Sequence, residues 1–492
     1  MPTFPSERPG ALAADKPSAL LRFPDRHKDQ SGQPVADKRI SNSVAESFST
    51  TETEHSPRSR ARTAAEKDAA RTGGLPHKIA WSAAEGYDGG VHAIRATQAY
   101  DGETFRSAGA TVLIEDGVIV GVEPYGFQVP DHCAVTSHDG TLLPGLIEAH
   151  THLVTDSGVS ALDRVAGYSD QQIDEVITHA LRGQLSAGVT TVRDLGDRRF
   201  CVVQRRGRQP AGPPSEPTIV ASGPPLTSPG GHCHFMGGEV SGTAEIIRAV
   251  ADRVEQGVDI VKVMASGGVN TPGSDVMRTQ FTTTELQFIV DRAHAAGLPV
   301  TAHAHGTPAV EQAIAVGVDG IEHCSCVTDR GFGQVREETL TALARSQIAV
   351  CPTIGVNPGL MKEPPPAIKA MTDRMGVTMQ QLLQDRRDFV GRLHHAGVRL
   401  VSGVDSGVGP AKRHGTLPHA VCELVTAGLS VAEALATATS GAAIACGVGA
   451  SKGRLAPGRH ADLLVVDGEL NTDITALLRP HAVLLQGAQV TI

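Results

Sequence analysis

The sequence predicts an α/β protein, and three observations predict it: a helix-to-strand phrase that recurs through the middle of the chain, β-rich text on either side of that middle, and a change of composition near residue 90. The recurrent phrase is a helix-favouring stretch that ends in Gly, then Val or Leu, then a β-branched run: SAGVTTVRD, EQGVDIVKV, AAGLPVTAH, AVGVDGIEH and HAGVRLVSG. A glycine just past a helix end takes the left-handed conformation that closes the last turn, so Gly188, Gly257, Gly297, Gly317 and Gly397 each mark a joint. LLPGLIEAHTHL, PTIVASG and AVCPT bring the total to eight strands, with helical spacers such as TTTELQFIVDRAHAAG between them. Eight alternating β and α units over about 300 residues fit a closed, TIM-like (β/α)8 barrel. A doubly wound open sheet competes with it, but no Gly-rich phosphate turn follows the first strand; LLPG precedes that strand instead.

The barrel text occupies residues 146–446. On its N-terminal side, TVLIEDGVIVGVEP places two β-rich runs around Asp116-Gly117, a hairpin signal. On its C-terminal side, ADLLVVDGEL and AVLLQGAQ have the same character. The simplest arrangement is a small β-sandwich domain built from both ends of the folded chain, residues 91–145 and 447–492, with the barrel inserted between them. Residues 1–90 differ from both. They hold 13 Lys/Arg and 12 Asp/Glu but only 11 of Ile, Leu, Val and Phe, too little apolar surface to offset the entropy of ordering. They are expected to be a disordered extension, too acidic for a transit peptide, with the lone Trp81 a candidate for docking on the folded body.

Of the 492 residues, 40% are apolar and 20% charged, which excludes a collagenous or wholly disordered chain. No run of 18 apolar residues occurs, so no membrane-spanning helix is expected. The net charge of −9, with Lys and Arg scattered, argues against nucleic acid or an anionic membrane as partner and leaves small molecules. No signal-peptide pattern opens the chain, and eight Cys in a chain of this length do not make a secreted disulfide framework. A cytoplasmic location with reduced thiols is the expectation.

Reactive side chains of a β/α barrel gather at the C-terminal ends of its strands. Here the first strand ends in His150-Thr151-His152, the fourth carries Lys262, the fifth His303 and His305, the sixth His323 and the eighth Asp405. Side chains alternate along a strand, so His150 and His152 share a face, and two neutral imidazoles fixed that way suit a borderline cation such as zinc. A hydrogen-bonded strand end is the plainer alternative for the pair alone; the other three strand-end residues weigh against it. Lys262 sits in the apolar run IVKVMAS, where an ammonium is expensive to bury. From burial alone two readings stand side by side, an ion pair with an internal carboxylate and a carbamate formed with carbon dioxide.

The order His-x-His, Lys, His, His, Asp, opened by LLPGLIEAHTHL and closed by GRLAPGRHADLLVVD, resembles the metal-dependent amidohydrolase superfamily. VKVMASGGV on the Lys strand narrows the resemblance to the cluster of imidazolonepropionase-like enzymes, Xaa-Pro and Xaa-Arg dipeptidases and ochratoxin carboxamidases, over residues 92 to 492. The resemblance implies two divalent metals, zinc being the expected ion. His150, His152 and Asp405 would hold the first, His303 and His323 the second, and carbamylated Lys262 with a hydroxide would bridge them. One departure stands out: the family usually has Asp two residues before the first His, where this chain has Glu148, which puts the orientation of the ligands in question. The resemblance also implies a homo-oligomer, although no interface signature is present.

Two such metals make hydroxide available near neutral pH and polarise a carbonyl. Asp405 is then the general base and acid that moves the proton to the leaving nitrogen. The expected reaction is hydrolysis of an amide bond in an N-acyl amino acid or dipeptide-like small molecule. Cyclic amides, carbamates and ureas share the same ligands and form the alternative, and a non-catalytic scaffold is the remote one. His305 faces the same side as His303, and the resemblance gives it a catalytic and substrate-binding role, with a supporting histidine as the plain alternative. The Gly-rich PLTSPGGHCHFMGGE is expected to form a pocket wall, and a GGH phrase in related enzymes favours His232 over His234 as a substrate contact. Cys324 and Cys326 read as core thiols, His394-His395 as a cationic helix end, and His414 as a residue that may equally lie in or out of the pocket. With only 16 aromatic residues in the chain, recognition is expected to lean on metals, imidazoles and Phe235 or Phe281.

Overall fold

A computed structural model describes residues 90–491, apart from 132, 209–213, 361–362 and 365. The expected N-terminal extension, with Trp81, lies outside the described residues. Five strands come first: β1 (His92–Tyr100), β2 (Phe105–Arg106), β3 (Ala110–Glu115), β4 (Val118–Glu123) and β5 (Ala134–Pro144). Seven strands follow, with helices among them: β6 (Leu146–Thr151), β7 (Val189–Asp194), β8 (Thr218–Ala221), β9 (Val261–Met264), β10 (Val300–Gly306), β11 (Gly320–Val327) and β12 (Ala349–Cys351). Three more come last: β13 (Leu463–Val466), β14 (Pro480–Leu485) and β15 (Ala488–Val490).

The outer strands make one eight-stranded sheet, in the order β15-β14-β13-β5-β1-β3-β4 with β2 on β1. β3 turns into β4 through Asp116 and Gly117, both at positive φ (48° and 77°), as a two-residue type I′ turn requires. β5 is the seam between the two ends of the described chain. It runs parallel to β1 and antiparallel to β13, with Leu143 opposite Leu464. One apolar cluster draws on both ends, including Ile94, Val112, Ile114, Leu142, Leu463, Val465 and Leu484.

The middle strands are parallel and form two sheets, β6-β7-β8 and β9-β10-β11-β12. Single parallel bridges tie them to their neighbours: Leu226 to Val263, Val350 to Leu400, and Ser406 to Thr151. This is a TIM-barrel-type α/β arrangement. All five joint glycines take the left-handed conformation, with φ between 70° and 81°. The helix Thr283–Ala295 starts as its sequence indicates: Thr282 and Glu285 cap each other's backbone N–H groups. Helix residues such as Ile289, Val310 and Leu343 pack with Val192, Val263, Ala302, Ile321 and Val350 in the main core.

One expected strand is not regular. The LVSGVDSG segment makes isolated bridges only, because Asp405 sits at φ 66° and its N–H and that of Ser406 both turn to the carbonyl of His150, at 2.9 and 3.2 Å. The ladder therefore breaks at the residue that carries the carboxylate. All eight cysteines are free thiols. No described helix is long and apolar enough to cross a membrane.

Candidate metal centre

Strand ends bring the imidazoles together. His150 and His152 leave β6 on one face, and their Nε2 atoms lie 3.5 and 3.2 Å from Oδ1 of Asp405. His303 and His305 come from β10 and His323 from β11, and the ligand atoms of these three lie within 4.8 Å of one another. The ring of His150 is 5.2 Å from that of His323, so the two groups form one cluster. Lys262 on β9 is fully buried, and its Nζ has no hydrogen-bond partner.

Each imidazole has one nitrogen held by a group other than Asp405, leaving the second to face the cluster. Nδ1 of His150 meets Glu322 at 2.8 Å, Nδ1 of His152 the carbonyl of Gly196 at 3.2 Å, and Nδ1 of His323 the hydroxyl of Thr353 at 2.8 Å. Nδ1 of His305 meets Ser325 at 3.0 Å, while His303 uses Nε2, 3.1 Å from the carbonyl of Gly267. Fixing one ring nitrogen orients the ring and leaves the other lone pair for a ligand. Burial, aided by neighbouring cations, pushes His150 down to about 4 and His305 to about 3, and holds His303 and His323 well below the usual histidine range. Those four rings are neutral. Burial opposes ionisation of Asp405, but the hydrogen bond from His152 and the Lys412 ammonium hold the carboxyl well below its usual range. Neutral imidazoles around an ionised carboxylate, with an orphaned buried amine among them, are a donor set that fits divalent metal.

Several residues that support the cluster were not evident from the sequence. Glu322, fully buried, accepts from His150, from Arg193 Nη2 at 3.0 Å and from Thr301 Oγ1 at 2.6 Å. Arg193 is itself buried and donates to the carbonyls of Ala149 and Ala445. His323 sits at φ 68°, which breaks the alternation of β11, so Glu322 and His323 both approach His150 although they are adjacent in sequence. A Glu and an Arg in otherwise apolar strands, GIEHC and TTVRD, were the available signals. Glu322 is thus engaged with His150, Arg193 and Thr301, and Lys262 makes no close ion pair among the described residues, although the charges of Glu322 and Asp405 both favour its ammonium form. Cys351 lies within ligand reach of His150 and Glu322, but its thiol is driven well above its usual range by burial and points to the carbonyl of Gly403.

Glu148 resolves the departure from the family pattern. Its Oε1 accepts from the N–H of His150 at 3.1 Å and reaches across to that of Val404 at 2.8 Å, tying the first strand to the segment that carries Asp405. Burial pushes its carboxyl up to about 8.

The remaining candidates divide. His232 is buried, its ring 4.6 Å from that of His303 and its Nδ1 2.8 Å from Thr271 Oγ1, with burial pushing it down to about 3. His234 stacks edge-on against Phe235. Phe235 packs in a small cluster with Leu162, Met236 and Met264, whereas Phe281 lies in the main core, so it is no pocket wall. His414 bonds the carbonyl of Thr155 at 2.9 Å, outside the cluster, and His394 and His395 end the helix Met379–His395. Cys324 and Cys326 are core thiols.

The fold and the cluster together define a class: a TIM-barrel-type α/β protein with a metal-ligand set at its strand ends. The chain belongs to the amidohydrolase family, whose model matches residues 141–490. Among curated proteins it is similar to ochratoxinase of Aspergillus niger, 26% identical over 420 residues (78% of this chain and 82% of that protein). It is also similar to imidazolonepropionase of Salinispora tropica, 26% identical over 390 residues (73% and 86%). Among solved structures it resembles a Xaa-Pro dipeptidase with bound methionine in the active site, with a TM-score of 0.70 and 23% identity over 82% of this chain and 100% of that one, a likeness of fold. These fall in the cluster that the strand-end motifs indicate.

Proposed function

We propose that the chain is a metal-dependent hydrolase that cleaves the amide bond of a small N-acyl amino acid or dipeptide-like molecule. The observation that carries this reading is the convergence of Nε2 of His150 and Nε2 of His152 on one oxygen of Asp405. In this reading His150, His152 and Asp405 would hold one ion and His303 and His323 a second, with Lys262, as a carbamate, a further ligand; zinc is the expected ion. When bound, the two ions lower the pKa of a shared water and polarise the scissile carbonyl. Asp405, ionised and beside both imidazoles, takes the proton of that water and delivers it to the leaving nitrogen. His305 and His232 face the reacting groups and position the substrate. The similarity to ochratoxinase supports hydrolysis of a small molecule.

Cyclic amides, carbamates and ureas remain the alternative on the same residues, favoured by the similarity to imidazolonepropionase. The reading takes the parallel strands as a closed (β/α)8 barrel over residues 146–446, supported by the three bridges that link its sheets. It takes 91–145 and 447–492 as a small β-sandwich around their shared apolar cluster. A cytoplasmic homo-oligomer acting on small molecules, without nucleic acid or membrane partners, completes it. The test is a screen of the metal-reconstituted, bicarbonate-treated protein against N-acyl amino acids, dipeptides, cyclic amides, carbamates and ureas, with metal content measured in parallel. Turnover of the first two classes supports the reading. Metal-free protein that takes up no ion and turns over nothing would leave only a scaffold.

A further inference from the structure

One four-residue stretch at the end of β7, Arg193-Asp194-Leu195-Gly196, reaches both histidines of the first barrel strand. Side chains alternate along a strand, so Arg193 and Asp194 leave β7 on opposite faces. Arg193 acts on His150 through Glu322. Asp194 goes the other way. It stands opposite Thr151 in the parallel pairing of β6 with β7, and its carboxylate extends past the end of β6. There Oδ2 accepts from the N–H of Leu153 at 2.7 Å, and Oδ1 accepts from the N–H of Gly196 at 3.1 Å. Leu153 follows His152 in the chain, and the carbonyl of Gly196 is the group that meets Nδ1 of His152 at 3.2 Å. One fully buried carboxylate thus grips both the backbone behind the histidine and the turn against its ring.

The turn leaves the ring no slack. A Cβ on Gly196 would come within 3.2 Å of Nδ1 and Cε1 of His152 and 3.3 Å of the Met236 sulfur, so the imidazole lies directly against the peptide that orients it. The N–H of Leu195 adds a further tie, to the carbonyl of Thr151 at 3.0 Å. A carboxylate has the two acceptor oxygens this arrangement uses, whereas the amide of Asn has one, and its NH2 group would face an N–H. The next carboxylate along the chain is no substitute: Asp197 accepts from the N–H groups of Phe200 at 3.1 Å and Val202 at 2.9 Å. Asp194 makes no hydrogen bond to the ring of His152 among the described residues, so it acts on that ring through Leu153 and Gly196.

We infer that Asp194 is the positioning residue of His152: it sets the ring so that Nε2 faces Asp405, and with Arg193 it makes the end of β7 the element that fixes the His-x-His pair. Two histidines two positions apart on one strand thereby take their orientation from two adjacent residues of the next strand. The inference rests on the reading in which His150 and His152 hold one ion, and it assigns to a second strand the control of that ion.

The test compares full-length wild type with Asp194→Asn, which keeps the volume of the side chain and removes one acceptor. Zinc is titrated into the metal-free proteins against a competing chelator. Asp194→Asn should weaken one ion by about 10- to 100-fold and leave the other unchanged, because only the histidine of one site has lost its support. A merely structural role would weaken both ions alike. Saturating zinc should restore turnover to Asp194→Asn, whereas no zinc concentration should restore Asp405→Asn, which lacks the group that moves the proton. Crystals of the metal-free variant should show the ring of His152 turned away from Asp405, with His303 and His323 unmoved. Two ions bound as tightly as in the wild type, an equal loss of both, or an unmoved ring overturns the inference. If the wild type takes up no ion, the metal reading falls, and the position of the ring alone decides the inference. If Asp194→Asn does not fold, Gly196→Ala, whose methyl group presses on the same ring from the same turn, should show the same loss of one ion; an equal loss of both would again overturn it.

Discussion

Nδ1 of His150 donates to a carboxylate oxygen of Glu322 across 2.8 Å, although the two residues stand 172 positions apart. The bond fixes which nitrogen of His150 is free, and Arg193 fixes Glu322 in turn. Glu322→Gln should weaken metal binding by about 10- to 100-fold, the usual penalty for losing a carboxylate behind a metal-bound histidine. It should also destabilise the protein by about 3–5 kcal/mol, because Arg193 is left as a buried, unpaired charge. Competition titration with a chromophoric chelator and denaturant unfolding read the two effects; unchanged metal affinity would show that the bond does not orient His150.

Lys262 is a site residue whose burial opposes folding. Lys262→Met removes a buried ammonium whose Nζ makes no hydrogen bond, so the metal-free variant should be more stable than metal-free wild type by about 1–4 kcal/mol, as when other buried charges are replaced by apolar groups. The same variant should lose the bicarbonate dependence of metal uptake. Lower stability of the metal-free variant in urea would contradict this account.

Asp405→Asn keeps the volume and the carbonyl oxygen but cannot shuttle a proton. It should retain metal, as measured by elemental analysis, and lose about 10²–10⁴-fold in kcat. Turnover near that of the wild type would remove Asp405 from the proton-transfer role.

Glu148→Asp restores the residue usual in the family yet should damage this chain. The shorter side chain cannot hold the N–H groups of both His150 and Val404, and a buried N–H left unsatisfied is worth about 1–3 kcal/mol. Thermal melting of the variant beside the wild type gives the answer, and an unchanged melting temperature would mean that the backbone closes the gap.

Gly403 packs against the first strand with no room for a side chain. A Cβ there would come within 2.7 Å of the backbone nitrogen of His150 and of the Cys351 sulfur. Gly403→Ala should therefore displace His150, lowering stability by about 1–3 kcal/mol and metal affinity with it. Crystals of a variant with His150 unmoved would refute this.

What could be read from the sequence is what local rules encode. The joint glycines were legible because a helix cap needs a left-handed residue at a fixed place, and His150 and His152 because a strand has period two. The irregular course of the segment through Asp405 was not, since it depends on where the N–H groups of Asp405 and Ser406 find an acceptor on another strand. Glu322 and Arg193 were visible as charges in apolar strands, but nothing local names a partner 129 positions away.

The pairing of β5 with β13 sets a schedule for synthesis. Leu143 meets Leu464 only after 321 further residues have been made. At about 5–20 residues per second, that is roughly 16–64 s during which the apolar half of β5 offers an unpaired edge to whatever is nearby. The barrel can form in that interval, but its seam with the outer sheet closes last, so nascent chains arrested short of β13 are the form of this protein most exposed to aggregation and most in need of a chaperone.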